Sequence, residues 1–224
     1  MKRIYVVTEG QAETMFVKHV LYPFFYEYEK EVIPTTVLTK TDESRGRMYK
    51  GGISCFSKAD KTIKLDIGYA IKDTDVFVTT MFDFYGLPKD TPGFEVAMQK
   101  KDPYEKVANI ESAMQDFEKP IRPFYFPYIQ LHEFEALIFS DIQRLEEEYF
   151  DFDLKPLKDC MRHNPNPELI NNGLKTAPSK RIISCIPTYD KVASGVAVLR
   201  KIGVERLCQK CKHFSEWIEK LKSL

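Results

Sequence analysis

Long apolar runs are missing from this chain. No stretch approaches the roughly 20 apolar residues needed to span a bilayer, so no membrane segment is expected. An excess of one charge is missing too: 33 Lys and Arg balance 33 Asp and Glu, so composition alone does not mark a nucleic-acid binder. No Gly-x-x-x-x-Gly-Lys-Ser/Thr loop occurs, which excludes a P-loop ATPase within these residues, and no local motif suggests a Ser/His/Asp arrangement. Cysteines are few and odd in number, five of them scattered, and read as free thiols of a reducing compartment. The opening run Met1-Lys2-Arg3-Ile4-Tyr5-Val6-Val7-Thr8-Glu9 turns acidic too soon for an export leader. The expectation is a cytoplasmic protein.

What is present is an ordinary globular balance, 43% hydrophobic and 29% charged, which argues against disorder. The 224 residues suffice for one large domain, or for one domain with a helical appendage. Charge is unevenly spread. Residues 175–224 carry eleven Lys and Arg against four acids, whereas 141–153 carry six acids against one Arg. A basic tail beside an acidic body suits a polyanion partner. It equally suits a solvated helical surface.

Hydrophobic patterning alternates between two periods. Ile4-Tyr5-Val6-Val7 and Asp75–Phe82 are β-rich runs that read as buried strands, with Val32–Leu38 and the aromatic Phe124–Leu131 as two more. Helical spacing follows the first run and stops near Pro23, precedes Asp73, and returns over Tyr104–Phe117 behind Asp102-Pro103. Segment 40–52 reads as a basic, flexible loop, and His132–Phe139 as a helix start. Beyond about residue 140 the strand signal fades. Segment 163–179 reads as loop, with helices near 179–186, 189–202, 204–211 and 213–222. The rhythm predicts an α/β fold: a doubly wound, mainly parallel four-stranded sheet over 1–140, with a mostly helical extension over 141–224 packed on it. Ligands of such sheets bind outside the carboxyl ends of the strands. Glu9, Asp83 and Glu133 each follow a strand-like run and are expected on that one edge.

The acids there carry the chemistry. Glu9-Gly10-Gln11-Ala12-Glu13 turns from strand to helix, which places Glu9 and Glu13 about one helical turn apart. Asp83 ends another strand, and Glu133 and Glu135 open a helix after a third. Carboxylates so gathered repel one another unless a cation sits among them. Mg²⁺ or Mn²⁺ suits such hard oxygen ligands and would serve phosphodiester cleavage, with Glu9, Asp83 and Glu133 as ligands. The competing reading makes these acids helix caps and first-turn residues. Lys180, Arg181 and Lys191 are expected to face the acidic cluster and contact nucleic-acid phosphate, Lys180 and Lys191 by offsetting charge in the transition state, Arg181 by a bidentate grip. Surface charge is the plainer account of Arg181. Pro178-Ser179 reads as a helix start, itself an anion site. His132 is either a ligand or an acid/base group, or a histidine satisfied by a neighbouring carboxylate. Cys208-x-x-Cys211 with His213 resembles part of a zinc site but lacks a second pair, so half-buried thiols are expected.

Glu9-Gly10-x-x-Glu13 and Asp83 resemble the Toprim domain of primases, topoisomerases and overcoming-lysogenisation-defect nucleases. Nearly the whole chain resembles a bacterial family catalogued as a domain of unknown function with a Toprim-like N-terminal part. The motifs that carry this are Glu9–Glu13, Thr80-Met81-Phe82-Asp83-Phe84-Tyr85-Gly86-Leu87-Pro88, Gln130–Leu137, Ala177–Arg181 and Tyr189-x-Lys191. The resemblance implies a metal-dependent nuclease, Glu-x-Glu at 133–135 included, in a phage-defence setting. It also implies the alternative, a non-catalytic interaction module that partners a separate ATPase. One departure favours the alternative. Toprim motifs carry two Asp separated by one residue, and here the second position is Tyr85.

Overall fold

The computed structural model describes residues 1–42, 47–50, 52–118, 124–170 and 176–224, with backbone alone for 38–42 and 47–50. The chain divides into two compact units, Met1–Ile129 and Gln130–Leu224. It is α/β, with a mainly parallel sheet.

The first unit is built on β1 (Lys2–Thr8). Ile4, Val6 and Val7 are fully buried, as expected of a strand covered on both faces. A helical stretch follows as α1 (Gln11–Phe16), a π-helical turn over Val17–Leu21, and α2 (Tyr22–Tyr26). The helix therefore does not stop at Pro23, contrary to the sequence expectation. Proline lacks the N–H that a helix interior needs. Here it sits in the first turn of α2, directly after the wider π turn, where that loss is absorbed. Then come β2 (Lys30–Thr36), β3 (Leu38–Asp42), β4 (Arg47–Lys50), α3 (Phe56–Ala70) and β5 (Val76–Asp83). β3 and β4 pair antiparallel, so the predicted loop over 40–52 is in part a two-stranded ribbon. Its Arg45, Gly46 and Gly51 lie outside the described residues.

A short 3₁₀ turn (Phe84–Gly86) leads to α4 (Phe94–Met98) and α5 (Pro103–Phe117). The Asp102 side chain accepts the Tyr104 N–H at the start of α5, and Pro103 fills its first position. β6 (Tyr125–Phe126) and β7 (Ile129–Gln130) replace the single aromatic strand expected there. Pro127 cannot donate to a ladder. The Thr80 hydroxyl instead donates to the Tyr128 carbonyl and accepts the Tyr128 N–H, both at 2.9 Å. The sheet runs β2-β1-β5-β6, parallel throughout that path, with β7 also pairing β5. The four-stranded expectation thus gains a short fifth strand.

The second unit centres on a 3₁₀ stretch, Phe134–Ser140, buried along its whole length. It replaces the α-helix start predicted from His132. His132 has φ 62°, a left-handed backbone that does not belong to a helix. Around it lie α6 (Ile142–Glu148), α7 (Lys155–His163), a 3₁₀ turn (Pro167–Leu169), α8 (Pro178–Cys185), a π turn (Lys191–Gly195), α9 (Val196–Ile202), α10 (Val204–Lys210) and α11 (Lys212–Ser223). Phe214, Trp217, Ile218 and Leu221 form the buried stripe of α11 at helical spacing. Its first turn is fixed by Glu168. This fully buried carboxylate accepts the His213 and Phe214 N–H groups at 3.0 and 2.9 Å. Among the described residues no helix is long and apolar enough to cross a membrane.

Candidate functional site

In the first unit, β1 and β5 are parallel neighbours, with Thr8 level with Met81. Glu9 and Asp83 therefore leave the sheet at the same carboxyl edge, as the sequence led one to expect. Three hydroxyls pin the turn between β1 and α1. Thr14 donates to the Gly10 carbonyl at 2.8 Å, and its oxygen lies 2.7 Å from the hydroxyls of both Thr8 and Thr36. Thr8 and Thr36 are the last residues of β1 and β2, so the Glu9-Gly10 turn is tied to two strand ends at once.

The half-buried Glu9 side chain reaches over the end of β5. Its Oε2 accepts the Asp83 N–H at 3.3 Å. Its Oε1 lies against Gly86, where a Cβ would come within 3.0 Å. A side chain at position 86 would crowd that carboxylate, so glycine leaves it room. Gly86 and the threonine trio escape a sequence reading because their role depends on strand neighbours tens of residues away. Glu13 is buried within α1. Tyr85 is half exposed. Its phenol adds no carboxylate to this edge.

In the second unit the predicted residues are drawn into local structure. Glu133 is buried and its Oε2 accepts the Ser179 N–H at 3.0 Å, so it caps α8. The anion site expected at that helix start is thereby taken by the protein's own carboxylate. Glu135, also buried, lies 3.4 Å from the Lys191 ammonium. That ammonium stands 5.4 Å above the centre of the Phe134 ring, a cation–π contact. Asp190 caps the π turn that Lys191 opens, accepting the Ala193 N–H at 2.6 Å. Tyr189 fits here because residue 195 is glycine: a Cβ there would meet the phenol oxygen at 2.5 Å. Burial, aided by Glu135, pushes the Tyr189 phenol well above its ordinary pKa. Lys180 is exposed on α8. Arg181 donates through Nε to the Thr176 carbonyl at 2.7 Å and so ties down the approach to its own helix.

His132 is buried. Cys211 is fully buried beside Ser140, and burial raises its pKa far out of the thiolate range. Burial also lifts Cys208, to about 11. Cys208 is half-buried, as expected, whereas Cys211 is buried completely. Among the described residues no group of three or more His, Cys, Asp or Glu could hold a metal ion by itself.

A family model described as "Domain of unknown function (DUF4276)" matches residues 8–222. The chain belongs to this family. The match opens at the last residue of β1, immediately before Glu9, and runs into the last turn of α11. It therefore takes in the Glu9–Asp83–Gly86 arrangement and all but the last two residues of the second unit of this DUF4276 chain. No curated protein and no solved structure matches it.

Proposed function

We propose that this protein is a metal-dependent nuclease of Toprim-like type, with Glu9 and Asp83 as the ligands of one Mg²⁺ or Mn²⁺ ion. The observation that carries the reading is Glu9 laid across the end of β5, beside Asp83 and over Gly86, at the carboxyl edge of two central parallel strands. The donor set fits. Mg²⁺ commonly takes one or two protein carboxylates and completes its shell with water and substrate phosphate, so it needs no larger protein cluster. When bound, such an ion lowers the pKa of a water and draws charge from a phosphoryl oxygen. The chain's own part is to hold the Glu9 carboxylate over the end of β5 before substrate arrives. The Thr8–Thr14–Thr36 hydroxyls and the Asp83 N–H supply that rigidity. Lys180, in the second unit, is exposed. Glu133, Glu135 and Lys191 have structural partners and shape the second unit.

The second reading, an interaction module that partners a separate ATPase, is favoured by Tyr85 at the place of the second acid. One experiment separates the two. Purified protein is incubated with single- and double-stranded DNA and RNA in Mg²⁺ or Mn²⁺, alone and with any ATPase co-purifying with it. Cleavage that disappears in Glu9→Gln and in Asp83→Asn, with folding intact by circular dichroism, supports the nuclease. A wild type that never cleaves leaves the interaction module.

A further inference from the structure

A groove in the second unit lies between the start of α6, α7 and α10. It has a volume of about 370 Å³. Phe139 and Ile142, nearly buried, line it together with Met161 and Pro165. Four cations line it as well: Lys158 and Arg162 from α7, Arg206 and Lys210 from α10. One acid, Asp141, is present, and it caps α6 through the Gln143 N–H at 3.2 Å.

The four cations are not equivalent. Lys158 is held by Glu146 at 2.6 Å, and Arg162 by Asp159 at 2.6 Å. Among the described residues Arg206 donates only to the neutral Gln209 side chain, at 3.3 Å. Lys210 is exposed, and among the described residues neither it nor Arg206 forms an ion pair. The two are four residues apart on one helix, so their like charges face each other at a modest cost. Helix dipoles explain part of this. Arg162 and Lys210 stand in the last turns of their helices, where cations are favoured. Arg206 is the third residue of α10, at the end where the dipole favours acids. Its charge calls for another account, and a bound anion provides one.

We infer that this groove binds a nucleotide, with its phosphate on Arg206 and Lys210 and its base or sugar against Met161, Ile142 and Pro165. Guanidinium matches phosphate oxygens in a planar fork, and the apolar wall suits the flat, weakly polar face of a base. The volume is at the lower end for ligand sites, which run from about 300 to 1,000 Å³, and matches one nucleotide-sized group. That group is either a free nucleotide or one residue of a single strand, since both present the same chemistry. The inference draws on the nucleic-acid reading above only for the choice of ligand.

The test is equilibrium binding of a fluorescein-labelled single-stranded dodecamer by anisotropy in chelator, where no metal-dependent cleavage intervenes. Competition by AMP and by inorganic phosphate is measured alongside. The double variant Arg206→Gln/Lys210→Gln should weaken binding at least tenfold and flatten the salt dependence by about 0.7 in log–log slope per lost phosphate contact. The exposed Lys210→Glu alone should weaken it several-fold, which guards against misfolding at half-buried Arg206. Lys201→Gln/Lys212→Gln removes the same charge from the same unit and should bind as wild type. Competition by AMP as strong as by the dodecamer identifies a free nucleotide as the ligand, and competition by the dodecamer alone identifies a strand. Absent binding, loss equal in the Lys201/Lys212 control, or a double variant that binds like wild type would overturn the assignment. Loss of cleavage in Glu9→Gln with binding retained leaves it standing, so the two readings fail separately.

Discussion

Glu133 accepts the backbone N–H of Ser179 at 3.0 Å, 46 residues along the chain. Two motifs that the sequence marks for chemistry, Gln130–Leu137 and Ala177–Arg181, thus meet as a carboxylate and the helix start it caps. Glu133→Ala should destabilise the protein by about 1 kcal/mol, the usual worth of such a cap. Glu133→Gln, which keeps an acceptor, should cost less. Urea melts in chelator read both. A larger loss from Gln than from Ala would contradict a capping role.

Glu168 makes the stronger version of the same contact. It is fully buried and serves the His213 and Phe214 N–H groups together. Glu168→Ala leaves both donors without that acceptor and opens a cavity, at a cost of roughly 3 kcal/mol. Glu168→Gln should forfeit about half of that. Chemical denaturation with an unchanged m-value is the measurement, and a loss under 1 kcal/mol from Ala would count against the cap.

How far the site was legible depends on the range of the interactions. β1 and β5 are written locally, in apolar β-branched runs that end at Glu9 and Asp83, and their shared edge follows from parallel pairing. The caps are not written locally. A carboxylate that holds a cation and one that holds a helix N-terminus look alike in sequence, and only the fold brings Ser179 to Glu133. Pro23 misleads for a related reason: proline usually ends a helix, but the π turn before it removes the conflict. His132 hides a left-handed backbone inside an apolar stretch that otherwise reads as helix. Glu168 lies among Asn and Pro residues that signal loop, with nothing nearby to mark it as the support of α11.

Acid pH should stabilise the first unit through Asp66. Burial in α3 raises its pKa to about 6, with a Thr35 hydrogen bond opposing the shift. The folded-state value lies above the unfolded one, so the contribution is fully present below the unfolded pKa, near 4, and is lost as pH rises through 6. Glu118 moves in the same direction, first by burial and then by a hydrogen bond to Asp60. Asp66→Asn should raise stability at pH 7 by roughly 2–3 kcal/mol and remove part of the pH 4–7 slope. Melting across that range decides it, and a variant less stable at pH 7 would show that Asp66 is ionised and matched.

The sharpest test of the cation site changes no charge. At position 86 a Cβ would stand 3.0 Å from Glu9 Oε1 and 3.4 Å from Oε2. The backbone there does not require glycine, since its φ lies outside the left-handed range. Gly86→Ala should therefore fold, with stability in chelator within about 1 kcal/mol of wild type. Its methyl group must push the carboxylate aside by a few tenths of an ångström, which disturbs the reach of Glu9 toward Asp83. If that carboxylate holds a cation, the variant should lose most of the Mg²⁺- or Mn²⁺-induced rise in melting temperature and most of any cleavage, at least tenfold. If Glu9 serves only to anchor the Asp83 N–H, chelator and metal should give the same small change. The readout is the pair of melting temperatures with and without metal. A metal-induced rise equal to that of wild type would remove Glu9 from the ligand set.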